Sequence, residues 1–396
     1  MKTIKDIDLN GKRVLIRVDF NVPLNKDRQI TDDSRIQAVL PTLKYALAHQ
    51  AKLIVASHMG RPKGKVVPEY SLRPAAEHLS RLLDRPVALA PDCIGSAVED
   101  QISNMSPGDI VVLENLRFHP EEEKNDAAFG KKLAALCDVY INDAFAVSHR
   151  ANASVEAIVR HAPVSAAGFL MEKEITYFRR ALTEPKRPLV AIVGGAKVSG
   201  KLGLLENLLG KIDKLIIGGA MANTFLRSMG LATGKSLVEA DLIETAGSIL
   251  KRASENHIPV YLPVDVVVAE TPDASSKTTV VPVQEIPDHQ MALDTGPATI
   301  MLFAEALQNA GTIVWNGPMG MFEVAPFSRG TAAMVDHIAS MPAVSIIGGG
   351  DTGAAVHQSG KADRMTYIST GGGAFLELME GKILPGIAAL ETADHQ

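Results

Sequence analysis

Two residue classes in this chain stand where they could handle phosphate. The first is arginine. Arg35, Arg61, Arg117 and Arg150 come from four separate segments, each close behind a short apolar run, and Asp19, Asn21 and His58 hold similar positions. Guanidinium forks bind carboxylate and phosphate oxygens in pairs. Four of them with a histidine suit a small ligand with a carboxylate and a phosphate, the latter carrying about −1.5 to −2 charges. The second class is glycine, 32 residues in all. Gly194-Gly195-Ala196-Lys197, Gly218-Gly219-Ala220, Gly348-Gly349-Gly350-Asp351-Thr352 and Gly371-Gly372-Gly373 each end an apolar run, as does Asn316-Gly317-Pro318. Glycine lets a backbone turn with positive φ and approach a ligand closely. Amides at the helix starts that follow can then hold anions. Four such loops suggest a nucleotide and its phosphates.

Within the glycine group, Gly195-x4-Gly200-Lys201 imitates a P-loop, but Leu202 stands where that motif needs a hydroxyl for magnesium. Lys197 and Lys201 are four apart, so a helix there would put both ammonium groups on one face. Asp351 follows three glycines and is read either as a Mg²⁺ partner beside substrate phosphates or as an ordinary helix N-cap.

Elements must place these groups. The recurrent pattern is a β-branched run followed by an amphipathic helical stretch. In the first half the runs are 14–20, 53–57, 110–114 and 139–143. In the second half they are 189–194, 214–218, 260–268, 312–316, 344–348 and 365–369. Such alternation predicts an α/β, doubly wound fold with parallel sheets covered on both faces. Ligands then bind beyond the carboxyl ends of the strands, where the arginines and glycines lie. Met171, Ile175, Phe178 and Leu182 share a helical face, and Pro185 and Pro188 close that stretch. Residues 171–184 read as a connecting helix between lobes 1–170 and 185–384, with 385–396 completing the first. An ordinary crossover helix inside one large sheet is the alternative. Glu121–Lys124 reads as a solvated turn or helix start.

Composition fits two such lobes. The 396 residues are 46% hydrophobic and 21% charged, enough apolar material for two cores. A net charge of −5 demotes nucleic-acid binding. Cys93 and Cys137 make neither a C-x-x-C pair nor a metal-ligand cluster by spacing, and read as reduced thiols. The amino terminus lacks the apolar core of a signal peptide, and no run approaches a membrane span. A cytoplasmic protein is expected. Its two lobes describe a kinase with one lobe for a small anionic acid and the other for a nucleotide.

The residues also carry a family resemblance along nearly the whole chain. The motifs are I-R-V-D-F-N-V-P-L (16–24), S-H-M-G-R-P (57–62), E-N-L-R-F (114–118), N-D-A-F (142–145), A-A-G-F-L-M-E-K-E (166–174), G-G-A-K-V (194–198), W-N-G-P-M-G-M-F-E (315–323), G-G-G-D-T (348–352) and S-T-G-G-G-A (369–374). Nine ordered blocks resemble phosphoglycerate kinase. The resemblance implies reversible phosphoryl transfer between ATP and 3-phosphoglycerate, giving ADP and 1,3-bisphosphoglycerate, by a magnesium-dependent, hinge-bending monomer. It implies an acid site at Asp19, Phe20, Asn21, Arg35, His58, Met59, Gly60, Arg61, Arg117 and Arg150. It implies a nucleotide site at Lys197, Lys201, Gly219, Asn316, Glu323, Gly349, Gly350, Asp351 and Thr352, with Glu323 on the ribose and Asp351 linked to Mg²⁺. Arg35, Lys197, Lys201 and Gly371 through Gly373 would surround the moving phosphoryl group on closure.

Some positions depart from the family pattern. Ala146-Val147-Ser148 replaces a common Gly-Thr-Ala, Met59 replaces leucine, and Ala220 and Asn223 alter a G-G-G-M-A-F string. Another acyl-phosphate-forming carboxylate kinase and a non-catalytic binding protein that closes on an anion are the competing readings.

Overall fold

A computed structural model describes residues 1–394; His395 and Gln396, the end of the segment assigned to the first lobe, lie outside the described residues. The chain divides into two compact units. One comprises Met1–Ile175 with Ile383–Gln396, and the other Thr176–Lys382.

The first unit is built on β1 (Arg13–Arg17), β2 (Lys52–Ala56), β3 (Ala88–Leu89), β4 (Ile110–Val112), β5 (Val139–Asn142) and β6 (Ser165–Ala167), ordered β3-β4-β2-β1-β5-β6 and parallel throughout. Val14, Ile16, Leu53, Val55, Val112 and Ile141 are buried in its core. Burial on both faces explains why these strands read as continuous apolar runs. Each such side chain contributes roughly 1.5–3 kcal/mol when fully buried.

The second unit contains β7 (Leu189–Val193), β8 (Lys214–Ile217), β9 (Val260–Tyr261), β10 (Asp265–Ala269), β11 (Thr279–Pro282), β12 (Met291–Thr295), β13 (Thr312–Asn316), β14 (Val344–Gly348) and β15 (Tyr367–Ile368). Six form a parallel sheet, β15-β14-β13-β7-β8-β9. The other three form a separate antiparallel sheet, β11-β10-β12. This corrects the reading of 260–268 as one strand. Pro263 has no N–H to offer a ladder, and the chain changes sheet across it. The α/β class and parallel sheets agree with the expectation; the small antiparallel sheet was not anticipated.

The helix read at 171–184 runs Phe169–Leu182, and the division between units falls inside it. Its first turn is held by β5. Asp143 Oδ1, just past that strand, accepts from Met171 N at 3.1 Å, and Thr42 Oγ1 accepts from Phe169 N at 3.0 Å. Two otherwise orphaned amides are thereby satisfied.

Candidate active site

In each parallel sheet the residues singled out by type lie in the segments that follow the strand ends, Arg35 in the first turn of the helix Ser34–Ala48. In the first unit β1 stops at Arg17, and the next turn presents Asp19. Its Oδ2 accepts from Arg35 Nη1 at 2.7 Å, and its Oδ1 accepts from Asn21 N at 3.1 Å. Asn21 Oδ1 in turn accepts from Gly60 N at 2.8 Å, tying the β1 and β2 loops together. Arg117 Nη1 donates to Gly60 O at 2.8 Å from the turn after β4. Arg150 Nε donates to His149 Nε2 at 3.2 Å in the segment after β5. Phe20 and Met59 have buried side chains within the core cluster, so they offer a ligand only backbone. Arg61 is exposed.

His58 reports the electrostatics. It is 2% exposed. Its pKa is held well below the usual value by burial first, and then by Arg17, Arg117, Arg35 and Arg150. The imidazole is therefore neutral at pH 7, and the positive charge expected of the cluster belongs to the arginines alone. Four guanidiniums from different segments thus act on one point.

Arg17 was not among the expected site residues. It is fully buried, with Nε donating to Ser154 Oγ at 2.9 Å and Nη2 3.4 Å from His58 Nδ1. Its guanidinium also lies 4.0 Å from Glu122 Oε1. Glu122 corrects the solvated reading of 121–124. The segment does start a short helix, Pro120–Glu123, but Glu122 is completely buried and accepts from Ser154 N at 2.9 Å and Ser154 Oγ at 2.6 Å. An arginine closing a strand directly after the buried apolar run 14–16 was the available signal, because a buried charge needs a partner.

In the second unit a cavity of about 610 Å³ opens beside the glycine loops. Gly219, Glu323 and Asp351 line it, as do Leu237, Met291 and Met321 on apolar walls. Asn223 also lines it, 3% exposed, with no partner for its Nδ2 among the described residues. The glycines separate into two kinds. A Cβ on Gly219, at φ +67°, would lie 2.6 Å from Gly195 O, and one on Gly317, at φ +100°, would lie 2.9 Å from Gly195 N. Those two are required because loops pack backbone against backbone. Gly195, Gly350 and Gly372 face open space instead, where a ligand could approach the chain.

The lysine geometry is corrected. The helix starts only at Leu202, with Lys201 as its N-cap, so Lys197 and Lys201 do not share a helical face. Gly195 turns with φ +101°, and Glu239 takes up Ser199 N at 3.0 Å, holding the segment as a loop. Lys197 is exposed. Lys201 Nζ donates to Asn316 Oδ1. Burial pushes its pKa down, opposed by the nearby carboxylates of Asp351 and Glu380. Asp351 is the second residue of the helix Gly350–Gln358, whose N-cap is Gly349, so the N-cap alternative does not hold. Thr352 is fully buried, and its Oγ1 accepts from Gly317 N at 2.7 Å; its hydroxyl serves the loop.

The family model for phosphoglycerate kinase matches residues 4–382. The chain belongs to the phosphoglycerate kinase family. The enzyme of that name from Geotalea uraniireducens is 60% identical over 389 residues, covering 98% of each chain. That from Desulfosudis oleivorans is 59% identical over 391 residues, covering 99% of each. Among solved structures, phosphoglycerate kinase from Coxiella burnetii superposes with a TM-score of 0.90 at 42% identity, covering 98% of both chains. The Pyrococcus horikoshii enzyme gives 0.86 at 34% identity over the whole of both. As a phosphoglycerate kinase the chain is a phosphotransferase with a carboxyl group as acceptor, and its reaction is an ATP-generating step of glycolysis.

Proposed function

We propose that the first unit binds 3-phosphoglycerate through Arg35, Arg117 and Arg150, with Arg61 at its exposed edge. Asp19 and Asn21 hold the arginine-bearing loops, and neutral His58 supplies a hydrogen bond rather than a charge. The observation that carries this reading is the convergence of Arg17, Arg35, Arg117 and Arg150 on one buried imidazole. The second unit would take ATP or ADP in its cavity, the base against Leu237, Met291 and Met321, with Asn223 Nδ2 as a directional donor. Glu323 would meet the ribose. Gly219 and Gly349 through Thr352 would shape the phosphate end, beside Lys197, Lys201 and Asn316.

The acceptor is already a carboxylate, so no general base is needed. Catalysis is positioning and charge neutralisation. Arg35, Lys197, Lys201 and the amides of Gly371 through Gly373 would stabilise charge as it redistributes over the phosphoryl oxygens. An exposed carboxylate at the start of a helix beside the glycine loops fits magnesium, which takes one or two carboxylates plus substrate phosphates, and Asp351 would hold it. A bound Mg²⁺ would supply charge neutralisation at the phosphates. Closure about the helix Phe169–Leu182 would exclude water from an acyl phosphate that hydrolyses readily. Both cysteines are free and buried, which suits a monomer working in a reducing cytoplasm.

The test is ATP consumption with 3-phosphoglycerate, with other carboxylates, and with none. Consumption that depends on 3-phosphoglycerate, with a product trapped as a hydroxamate, supports the reading. Equal turnover with another carboxylate would transfer the assignment to a different acyl-phosphate-forming kinase. Binding without turnover would favour a non-catalytic protein.

A further inference from the structure

We propose that Asp92, Cys93 and His119 form a site for one divalent cation of the zinc class, separate from the phosphoryl-transfer machinery. Spacing along the chain gave no hint of it, because Asp92 and Cys93 follow β3 whereas His119 follows the turn Leu116–Phe118. The fold brings a carboxylate oxygen, a thiol sulfur and an imidazole nitrogen within 4.8 Å of one another. Tetrahedral coordination with bonds of about 2.0–2.3 Å places donors roughly 3.3–3.8 Å apart, so only a modest contraction is needed.

The donors select the ion. A sulfur with an imidazole and one carboxylate suits zinc and its soft neighbours; magnesium and calcium prefer oxygen alone. Access is graded. The Asp92 and His119 side chains are 45% and 26% exposed, while Cys93 is fully buried and forms the floor. Three protein ligands leave one position for water.

The groups are already oriented by one another. Asp92 Oδ1 lies 2.7 Å from His119 Nε2 and accepts from Cys93 N at 2.6 Å. On binding, the Cys93 S–H bond breaks and its proton leaves to solvent. The imidazole proton moves from Nε2 to Nδ1, freeing the Nε2 lone pair, and no oxidation state changes. A coordinating cation removes the thiol proton outright. Asp92 O also accepts from Glu114 N at 3.3 Å, so the ion would tie the β3 loop to the segment that carries Arg117.

The test uses the full chain, reduced and stripped of metal, titrated with Co²⁺. One equivalent should produce a thiolate-to-cobalt charge-transfer band, and Zn²⁺, which binds such sites more tightly, should displace it. Cys93→Ser should abolish the band and Cys137→Ser should leave it. His119→Gln, at a partly exposed ring, should weaken binding by about 100-fold or more and keeps the test decisive if the buried Cys93→Ser variant fails to fold. Circular dichroism verifies folding of each variant. No band, a band that persists in Cys93→Ser, a band lost only in Cys137→Ser, or undiminished affinity in His119→Gln would each overturn the proposal and leave His119–Asp92 as a brace for the loop.

Discussion

His58 shows how a histidine in a basic cluster contributes without a charge of its own. Burial and four guanidiniums keep it neutral, so the anion-binding charge resides in the arginines. Arg35 is the one paired directly with Asp19, which aims it without burying it. Arg35→Ala should lower kcat by roughly 10²–10³ with an unchanged far-UV circular dichroism spectrum; near-normal turnover would remove Arg35 from the mechanism. Gly219 makes a different demand. Its positive φ and the Gly195 backbone against it leave no room for a methyl group. Gly219→Ala should cost about 1–3 kcal/mol of local strain, read as ATP affinity weakened some tenfold or more by calorimetry, with 3-phosphoglycerate binding unaffected. At this scale the residue types at strand ends were readable from the chain. Arg17, at the end of β1, was visible as a charge beside an apolar run, but its buried partners Ser154 and Glu122 lie far away along the chain.

Elements carry the next set of constraints. Asp143 couples a strand end to a helix start. It accepts from Met171 N, and Leu170 N and Thr42 also favour its charged form. Complete burial outweighs them and raises its pKa to about 7. The folded state therefore holds this proton more tightly than the unfolded chain, whose carboxyl titrates near 3.8. Its contribution to stability is full below that lower value and is lost as pH rises toward and through about 7. Asp143→Asn cannot ionise, so its stability relative to the parent should increase between about pH 4 and pH 7 and level off above, as measured by urea unfolding. A difference independent of pH would exclude this role. The parallel strands were legible because burial on two faces leaves uninterrupted apolar runs. The β11-β10-β12 sheet was not, because β11 is largely exposed and Pro263 hides a change of sheet inside one apolar stretch.

The whole molecule is not two consecutive beads. The chain leaves the first unit within the helix Phe169–Leu182, builds the second, and returns at Ile383. The returning helix Pro385–Ala393 is structural in the first unit. Gly386 N donates to Ser148 O at 3.0 Å, and a Cβ at Gly386 would lie 2.8 Å from Val155. Asp394 pairs with the Met1 amine at 2.9 Å. Ser148 belongs to the stretch that departs from the family pattern, so this helix backs the segment that carries Arg150. Gly386→Val should lower the melting temperature of the first unit by several degrees, as expected for overpacking of about 1–3 kcal/mol, while the second unit's transition stays in place. A calorimetric trace in which both transitions move together would contradict that independence. There is also a consequence in time. A ribosome adding about 5–20 residues per second makes most of the first unit early and its closing helix last, after some two hundred residues of the second. The unit that begins first is thus the one that finishes second. Its unclosed surface around Val155 stays open to solvent and to chaperones for roughly ten seconds or more of every synthesis.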